Sequence, residues 1–394
     1  IKALYFIKKI NSVLLNYFKN ILLSKKPFYH YSMDFEVRFL NKLNSKYAIK
    51  DDFTRSYCQY KCFRKIDNPL KHWLVYCIAL ITNPFYIFFL FLKGLFVLKT
   101  KELRKNSALD LTPLNGKFLN KNLKKEFDII KPSKKSKLLT FRDCVFLLKL
   151  IFRFPFAFYF HQKIINGIAH ASYQLRKNKF SAVITSSEFW FDSSILTYYY
   201  ESHNIEHINV MHGEKLLWFR DSFFRFHRTY VWEDHYINVL TQMYAEQKQF
   251  IIAPSFELEK LKSHKRKSSE PGNYTYYLQG NEPIDSLKTY REILIGFNKN
   301  FVLRPHPRYT RNQIELNKET FNIENPNLVS IIDSIKNSEA IISQYSTVLY
   351  QGYLMGKNII LDDLTNPVLY DKLQERKFIL CSKKHQLLSS IIKL

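Results

Sequence analysis

The stretch that decides the fold runs from Ala340 to Asp363 and reads AIISQYSTVLYQGYLMGKNIILDD. Its first four residues are apolar enough for a buried strand, and Ser343–Thr347 then forms a polar turn. The apolar residues of Val348–Met355 predict a helix, which Gly356 ends. A second apolar run, Ile359–Asp362, predicts the next strand. Strand, helix and strand in this order are typical of a parallel sheet that is covered by helices.

The same alternation extends from this stretch towards the N-terminus. In the same block we predict strands at Tyr274–Leu278 and Phe301–Arg304, and helices at Leu287–Phe297 and Ser330–Asn337. An earlier block has the same pattern, with a helix at Ser194–Glu201. The strands predicted there are Phe127–Ile130, Phe180–Thr185, Ile205–Met211, Thr229–Trp232 and Phe250–Ala253.

A polar stretch at 262–273, KSHKRKSSEPGN, separates the two blocks and predicts a domain boundary. A chain of 394 residues also fits two domains with an additional region. We therefore predict an α/β protein with a basic, membrane-associating helical region at 1–120. A first Rossmann-like domain follows at 121–265 and a second at 266–394.

The chain is strongly basic, with 60 Lys and Arg against 34 Asp and Glu and a formal net charge of +26. Such a charge attracts nucleic acid, anionic lipid or phosphorylated substrates. The sequence contains no zinc-finger spacing, basic heptad helix or aromatic RNA-binding motif, so we predict no nucleic-acid partner. An anionic membrane surface explains the charge better. The five cysteines are irregularly spaced, which favours a reducing compartment and no metal site.

One long apolar run, Trp73–Leu98, could contact a membrane. It reads WLVYCIALITNPFYIFFLFLKGLFVL, and Lys93 is its single charged residue. The run is long enough to cross a bilayer, but Asn83-Pro84 interrupts it near the middle. Three interpretations are open: a kinked spanning helix, a broken hairpin at the interface, or a buried pair of helices. We favour the hairpin, and so predict a peripheral protein, or one with a short inserted segment, at the cytoplasmic face of the inner or plasma membrane.

The first candidate site is the turn Arg304-Pro-His306-Pro-Arg308, which follows a predicted strand. In open α/β sheets, ligands bind at the carboxyl ends of the strands. Arginine forks suit phosphate oxygens, and a histidine can donate to a phosphate or protonate a leaving group. The structural alternative is a capped turn that faces solvent.

The second candidate site is Ser343-Gln-Tyr-Ser346-Thr347, directly ahead of a predicted helix. The free N–H groups and partial positive charge at a helix N-terminus bind phosphate well. Ser346 or Thr347 could also act merely as the helix cap.

The third candidate site is His212-Gly213-Glu214-Lys215, at the end of a predicted strand of the first block. Gly213 permits a tight turn that exposes His212 and Glu214, and either side chain could serve as a general base. An ordinary core or surface histidine is the alternative.

Taken in order, these three motifs resemble a pattern of the GT-B superfamily of glycosyltransferases. A strand ends in His-Gly, an Arg-x-His-Pro turn follows, and a Ser-x-Tyr-Ser-Thr segment precedes a helix. The pattern is similar to the CDP-glycerol glycerophosphotransferases of teichoic acid synthesis, and to bacterial sialyl- and polysialyltransferases and related capsule enzymes. The resemblance covers about residues 180–380 and implies two Rossmann-like domains that face a cleft.

The resemblance also implies roles for the motif residues. His306 would contact the donor phosphate and assist the departure of the nucleotide, and His212 or Glu214 would act near the acceptor. The sialyltransferases use an acidic tripeptide as base, which this sequence lacks. Asp192 is a further acceptor-side candidate, with a helix N-cap as its alternative role. The donor residues would be Arg304, His306, Arg308, Ser343, Ser346 and Thr347, and the acceptor-side residues Glu188, Asp192, His212, Glu214 and Lys215.

The chain has no Asp-x-Asp tripeptide, and Asp362 and Asp363 are adjacent and would point to opposite sides of a strand. We therefore predict a metal-independent, inverting glycosyltransferase of capsule, lipooligosaccharide or O-antigen synthesis without a cofactor. Its donor would be a CMP-activated sugar such as sialic acid, and its acceptor a lipid-linked or other glycan. The alternatives are a CDP-polyol phosphotransferase of teichoic-acid-like polymers and a non-catalytic membrane scaffold.

Overall fold

A computed structural model of the chain describes residues 26–47, 49–97, 106–113, 116, 118–132, 136–178, 180–263, 272–280, 282–307, 310 and 320–392. It divides into two compact units. The first comprises Ile1–Met211 and Trp218–Ala253, and the second comprises His212–Leu217 and Pro254–Leu394. These bounds differ from those predicted at 120 and 265, because the N-terminal helices belong to the first unit and the second begins earlier.

The first unit contains a six-stranded parallel sheet in the order β2-β1-β3-β4-β5-β6. The central strand β3 is buried throughout, as expected for a strand with helices on both faces. Strand β1 lies in a charged segment that reads as a linker, yet all four of its residues are buried. The strands are β1 (Ser107–Asp110), β2 (Asp128–Ile130), β3 (Ala182–Thr185), β4 (Glu206–Val210), β5 (Arg228–Val231) and β6 (Phe250–Ile252).

The helices of the first unit supply an aromatic core. Tyr60, Phe160 and Phe191 pack against one another in tilted and edge-on contacts, with ring centroids 5.3 to 5.9 Å apart. The helices are α1 (Met33–Tyr47), α2 (Asp52–Ile66), α3 (Pro69–Phe96), α4 (Lys121–Glu126), α5 (Phe141–Arg153), α6 (Phe158–Lys177), α7 (Ser193–Glu201) and α8 (Asp234–Thr241).

Helix α3 continues through Asn83-Pro84 without a break, so the prediction of a broken hairpin is wrong. The Asn83 side chain donates to the Phe158 carbonyl at 3.1 Å, which anchors the helix beside the proline. The buried residues of α3 form one narrow stripe from His72 to Gly94, so the helix packs on the first unit along its length. In the described part of the chain, α3 is the one helix with the length and apolar composition of a membrane span.

The remaining faces of α3, together with one face of α5, form an exposed apolar surface. On α5 the exposed residues follow a helical spacing of four, three and four residues, and the two helices contact each other. We call this surface the α3–α5 apolar surface. It comprises Leu70, Trp73, Leu74, Ile78, Leu80, Ile81, Phe85, Phe88, Phe89, Leu92, Leu95 and Phe96 from α3, and Phe141, Val145, Leu148, Phe152 and Phe156 from α5 and the turn after it.

The second unit contains another six-stranded parallel sheet, in the order β12-β11-β10-β7-β8-β9. Counted within this sheet the order is 6-5-4-1-2-3, which is the Rossmann order. The prediction of two Rossmann-like domains is confirmed. The elements are α9 (Phe256–Ser263), β7 (Asn273–Tyr277), α10 (Ile284–Gly296), β8 (Asn300–Arg304), β9 (Asn322–Ile323), α11 (Ile331–Asn337), β10 (Ala340–Ser343), α12 (Thr347–Leu354), β11 (Asn358–Leu361), α13 (Pro367–Glu375), β12 (Gln386–Leu387) and α14 (Leu388–Ile391).

Candidate functional site

The topological switch point of the second sheet lies between β7 and β10. The chain crosses to opposite sides of the sheet from these two strands, which opens a crevice at their carboxyl ends. Ser343, the last residue of β10, donates its hydroxyl to the Tyr277 carbonyl of β7 at 2.8 Å. It is completely buried. Ser343 therefore joins the ends of β10 and β7 at the floor of the crevice, and its role in donor binding stays a prediction.

Ser346 and Thr347 form the start of helix α12 above this floor. Ser346 is the N-cap, and its hydroxyl accepts from the Val348 N–H at 3.3 Å. Both side chains are half-buried. The capping role is thus real. The remaining N–H groups of the first turn of α12 are directed at the switch point, where the helix dipole favours an anion.

Gln344 is a residue of this site that the sequence reasoning missed. It lies between the end of β10 and the cap of α12 and is 2% exposed. Within the described part of the chain, neither its amide nitrogen nor its amide oxygen has a hydrogen-bond partner. A buried amide without partners costs about 1–3 kcal/mol, so such a group in a native fold indicates a missing partner. One signal was available in the sequence: a long polar residue directly after a buried strand, at a candidate switch point.

The His212–Leu217 segment belongs to the second unit, although it directly follows a strand of the first sheet. A Cβ atom at Gly213 would lie 3.9 Å from the Thr347 hydroxyl, so the turn passes close to the start of α12. Arg376 holds the end of the segment, since its guanidinium donates to the Leu217 carbonyl at 2.9 Å.

These contacts correct the prediction that the His-Gly motif belongs to the first domain. Two of the predicted acceptor-side residues, Glu214 and Lys215, are buried in this segment, while His212 is half-buried. The motif therefore lies with the predicted donor residues.

The proline-flanked turn follows β8, which is the other neighbour of β7. Strands in a sheet are about 4.8 Å apart, so the ends of β8 and β10 are separated by about 10 Å, a span that a nucleotide can bridge. His306 is half-buried, and its carbonyl accepts from the Thr310 hydroxyl at 2.9 Å. Arg308 lies outside the described residues.

Arg304 does not have the open position that the motif predicts. It is buried, its guanidinium is ion-paired with Glu324, and it donates to the Val329 carbonyl at 2.9 Å. Both contacts come from the chain after β8. Arg304 thus joins β8 to the following segment, and its role as a phosphate ligand stays a prediction.

In the first unit, the switch point lies between β1 and β3. Glu188 follows β3 and is buried, and its carbonyl accepts from the Gln59 amide at 2.7 Å. Asp192 occupies the N-cap position of α7, but its side chain makes no cap bond to the described residues of the helix. Burial raises the pKa of Asp192 to about 6, with Lys163 as the opposing cation. A carboxyl group with this pKa can exchange protons near neutral pH.

The described residues contain no group of three or more His, Cys, Asp or Glu side chains arranged to hold a metal ion. The adjacent aspartates are both used in the structure. Asp362 accepts from the Tyr276 hydroxyl and from the Thr365 N–H at 2.9 Å, and Asp363 accepts from the Ser389 hydroxyl at 2.6 Å.

No protein-family model and no curated protein matches the chain. Several solved structures are similar in fold. The wall teichoic acid polymerase TagF has 10% identity and a TM-score of 0.39, with 74% of this chain and 79% of TagF covered. A UDP-GlcNAc 2-epimerase from Methanocaldococcus jannaschii, in complex with UDP-GlcNAc and UDP, has 13% identity and a TM-score of 0.43 over 74% and 91% of the two chains. A putative UDP-N-acetylglucosamine 2-epimerase from Listeria monocytogenes has 12% identity and a TM-score of 0.45 over 74% and 87%. At these identities no activity passes from those proteins to this one.

Proposed function

We propose that this protein is a nucleotide-dependent, GT-B-type glycosyltransferase of surface-polymer synthesis. One observation carries the proposal. At the switch point of a Rossmann-ordered sheet, three features lie together: the start of α12, the turn at Gly213, and the Gln344 amide, which has no partner in the part of the chain that the structure describes. A helix N-terminus favours phosphate, a buried amide supplies a donor and an acceptor for a base or sugar, and the His-Gly turn brings a titratable group nearby.

The proposed reaction is a displacement at the anomeric carbon of a CMP-activated sugar. The acceptor oxygen bonds to this carbon while the bond from the carbon to the phosphate oxygen breaks, which inverts the configuration. The departing CMP is stabilised by the N–H groups at the start of α12 and by His306, without a metal ion. A general base takes the hydroxyl proton, and His212, Glu214, Glu188 and Asp192 are the candidates.

A direct test is nucleotide release from a panel of CMP-, CDP- and UDP-activated compounds, with and without EDTA. We expect release from the CMP-sugar, no effect of EDTA, and a loss of about 100-fold or more in His306→Ala. His385→Ala is the matched control, because His385 also belongs to the second unit but contacts Tyr370 and the Lys383 carbonyl.

The panel distinguishes the alternatives. Release only from CDP-polyols would replace the sugar donor with a polyol phosphate donor. A protein that neither releases nucleotide nor gains thermal stability with any of the compounds would instead be a scaffold, and the transferase proposal would be abandoned.

We further propose that the α3–α5 apolar surface lies in the plane of a membrane interface. Apolar patches on soluble monomers rarely exceed a few hundred Å², and a surface of seventeen large exposed side chains from two adjoining helices is far larger. Because α3 is packed on the first unit from His72 to Gly94, a position parallel to the membrane plane exposes its apolar faces to lipid without unfolding the unit. The basic character of the chain suits the anionic cytoplasmic leaflet.

A further inference from the structure

A basic cavity of about 470 Å³ lies in the first unit, between α1, α2 and the start of α3. Two helical faces form most of its wall. Lys42 and Lys46 are one turn apart on α1, and Lys61, Arg64 and Lys65 share a face of α2. Lys26 completes a set of six cations around one cavity.

The six cations are not neutralised within the described part of the chain, where none of them forms an ion pair. Among the described residues of the wall, Asp67 is the single acidic one, and it is bonded to Lys71 at 2.7 Å. Like charges one helical turn apart destabilise a helix, so this arrangement costs stability unless an anion is bound. Burial lowers the pKa of Lys61, and the nearby positive charges of Arg64 and Lys46 lower it further.

Several of these cations are held in position by aromatic rings, where ion pairs with carboxylates would be the usual arrangement. The Lys61 ammonium lies 4.7 Å from the Tyr57 ring centroid, and Lys65 lies 5.7 Å from that of Phe39. Cation–π contacts orient an ammonium group without cancelling its charge. The cavity is therefore preorganised and remains strongly positive.

A second cavity, of about 440 Å³, adjoins the first and shares Lys61, Arg64 and Pro69 with it. Its other wall includes Trp73 and Phe156, which belong to the α3–α5 apolar surface. His72 also lines this cavity. Burial lowers the pKa of His72 to about 4, so at neutral pH it adds no charge. The two cavities thus lead from a cluster of cations to an apolar surface.

We propose that these two cavities bind the phosphorylated headgroup of a membrane lipid. The phosphate lies among the cations of α1 and α2, where guanidinium and ammonium groups donate to its oxygens. The first part of the hydrocarbon chain follows Trp73 and Phe156 onto the apolar surface. This site is separate from the proposed nucleotide site and does not depend on transferase activity.

The test is co-sedimentation of the full chain with phosphatidylcholine vesicles that contain either phosphatidic acid or phosphatidylserine at matched surface potential. We expect tighter binding to phosphatidic acid, whose phosphomonoester is exposed, by about 10-fold or more, as charge-assisted hydrogen bonds predict. Lys61→Gln with Arg64→Gln should abolish this preference. Lys50→Gln with Lys149→Gln removes the same charge from exposed positions outside the cavities, and should keep the preference.

Two results would overturn the proposal: equal binding to the two lipids at matched potential, or a preference that survives in Lys61→Gln/Arg64→Gln. If that variant does not fold, Lys42→Gln with Lys46→Gln serves instead, because both side chains are exposed on α1. Inorganic pyrophosphate is tested alone by thermal shift. Stabilisation by pyrophosphate without any lipid preference would assign the site to a soluble anion and refute the lipid assignment.

Discussion

Replacing Phe85, Phe88 and Phe152 together with serine should release the protein from membranes. These side chains are 74%, 62% and 81% exposed, so most of each ring is available for transfer into lipid. Full burial of a phenylalanine contributes up to about 3 kcal/mol, and the exposed part of each ring therefore contributes about 1–2 kcal/mol. For three rings the sum is about 3–6 kcal/mol, which lowers the partition coefficient by a factor of about 10²–10⁴.

Vesicle co-sedimentation measures this coefficient, and thermal unfolding checks that the fold is intact. The matched control replaces Ile295, Phe297 and Leu328 with serine. These residues are 48%, 57% and 83% exposed, but belong to the second unit. The control should bind vesicles like the unchanged protein. A loss of less than about fivefold in the first variant, or an equal loss in the control, would refute the interfacial role of α3 and α5.

Three further predictions concern single residues. Gln344→Leu should raise the free energy of unfolding by about 1–3 kcal/mol, because it removes a buried amide that has no partner among the described residues. The same change should weaken nucleotide binding about 10-fold or more. Gln351→Leu is the control, and a parallel loss of stability and binding would contradict the ligand role. Gly94→Ala should destabilise the fold by about 1–3 kcal/mol in urea titrations, because its Cβ would lie 2.0 Å from the Leu139 carbonyl oxygen; unchanged unfolding would show that α3 does not approach so closely. Burial raises the pKa of Asp192 from 3.8 to about 6, so between these pH values the folded state binds a proton that the unfolded state does not, and the stability falls as the pH rises through this range. Asp192→Asn should remove this pH dependence and raise the free energy of unfolding by on the order of 1–3 kcal/mol at pH 7. An unchanged pH profile of stability would argue against the burial of this carboxyl.

The second sheet could be predicted from the sequence because its central strands are short apolar runs between polar turns. β10 matches its prediction at both ends, and α12 is displaced by one residue. Strand β1 could not be found in this way. Its sequence, SALD, has polar residues at both ends, and it is buried only because the sheet continues on both sides of it.

The local sequence also failed to predict the contacts of several residues in and near the candidate site. The motif indicated Arg304 as a phosphate ligand, but Glu324, twenty residues later in the chain, forms an ion pair with it. Asn83 and Pro84 indicated a break, but a carbonyl from α6 holds the helix together. Gln344 differs from these two residues, because it is buried and its amide has no partner among the described residues. Pairings between distant segments decide the cases of Arg304 and Asn83, and the burial of Gln344 is likewise set by the tertiary fold, which local patterns do not contain.

The excursion of the chain at His212–Leu217 has a practical consequence for dissecting the protein. A fragment that begins at Pro254 would contain every strand of the second sheet but would lack the turn that passes close to Thr347. Chimaeras between related proteins would meet the same difficulty, since a single crossover at this position would combine a host sheet with a foreign loop. Exchange of the second unit, the proposed nucleotide-binding half, therefore requires two transplanted pieces, the hexapeptide and the C-terminal portion.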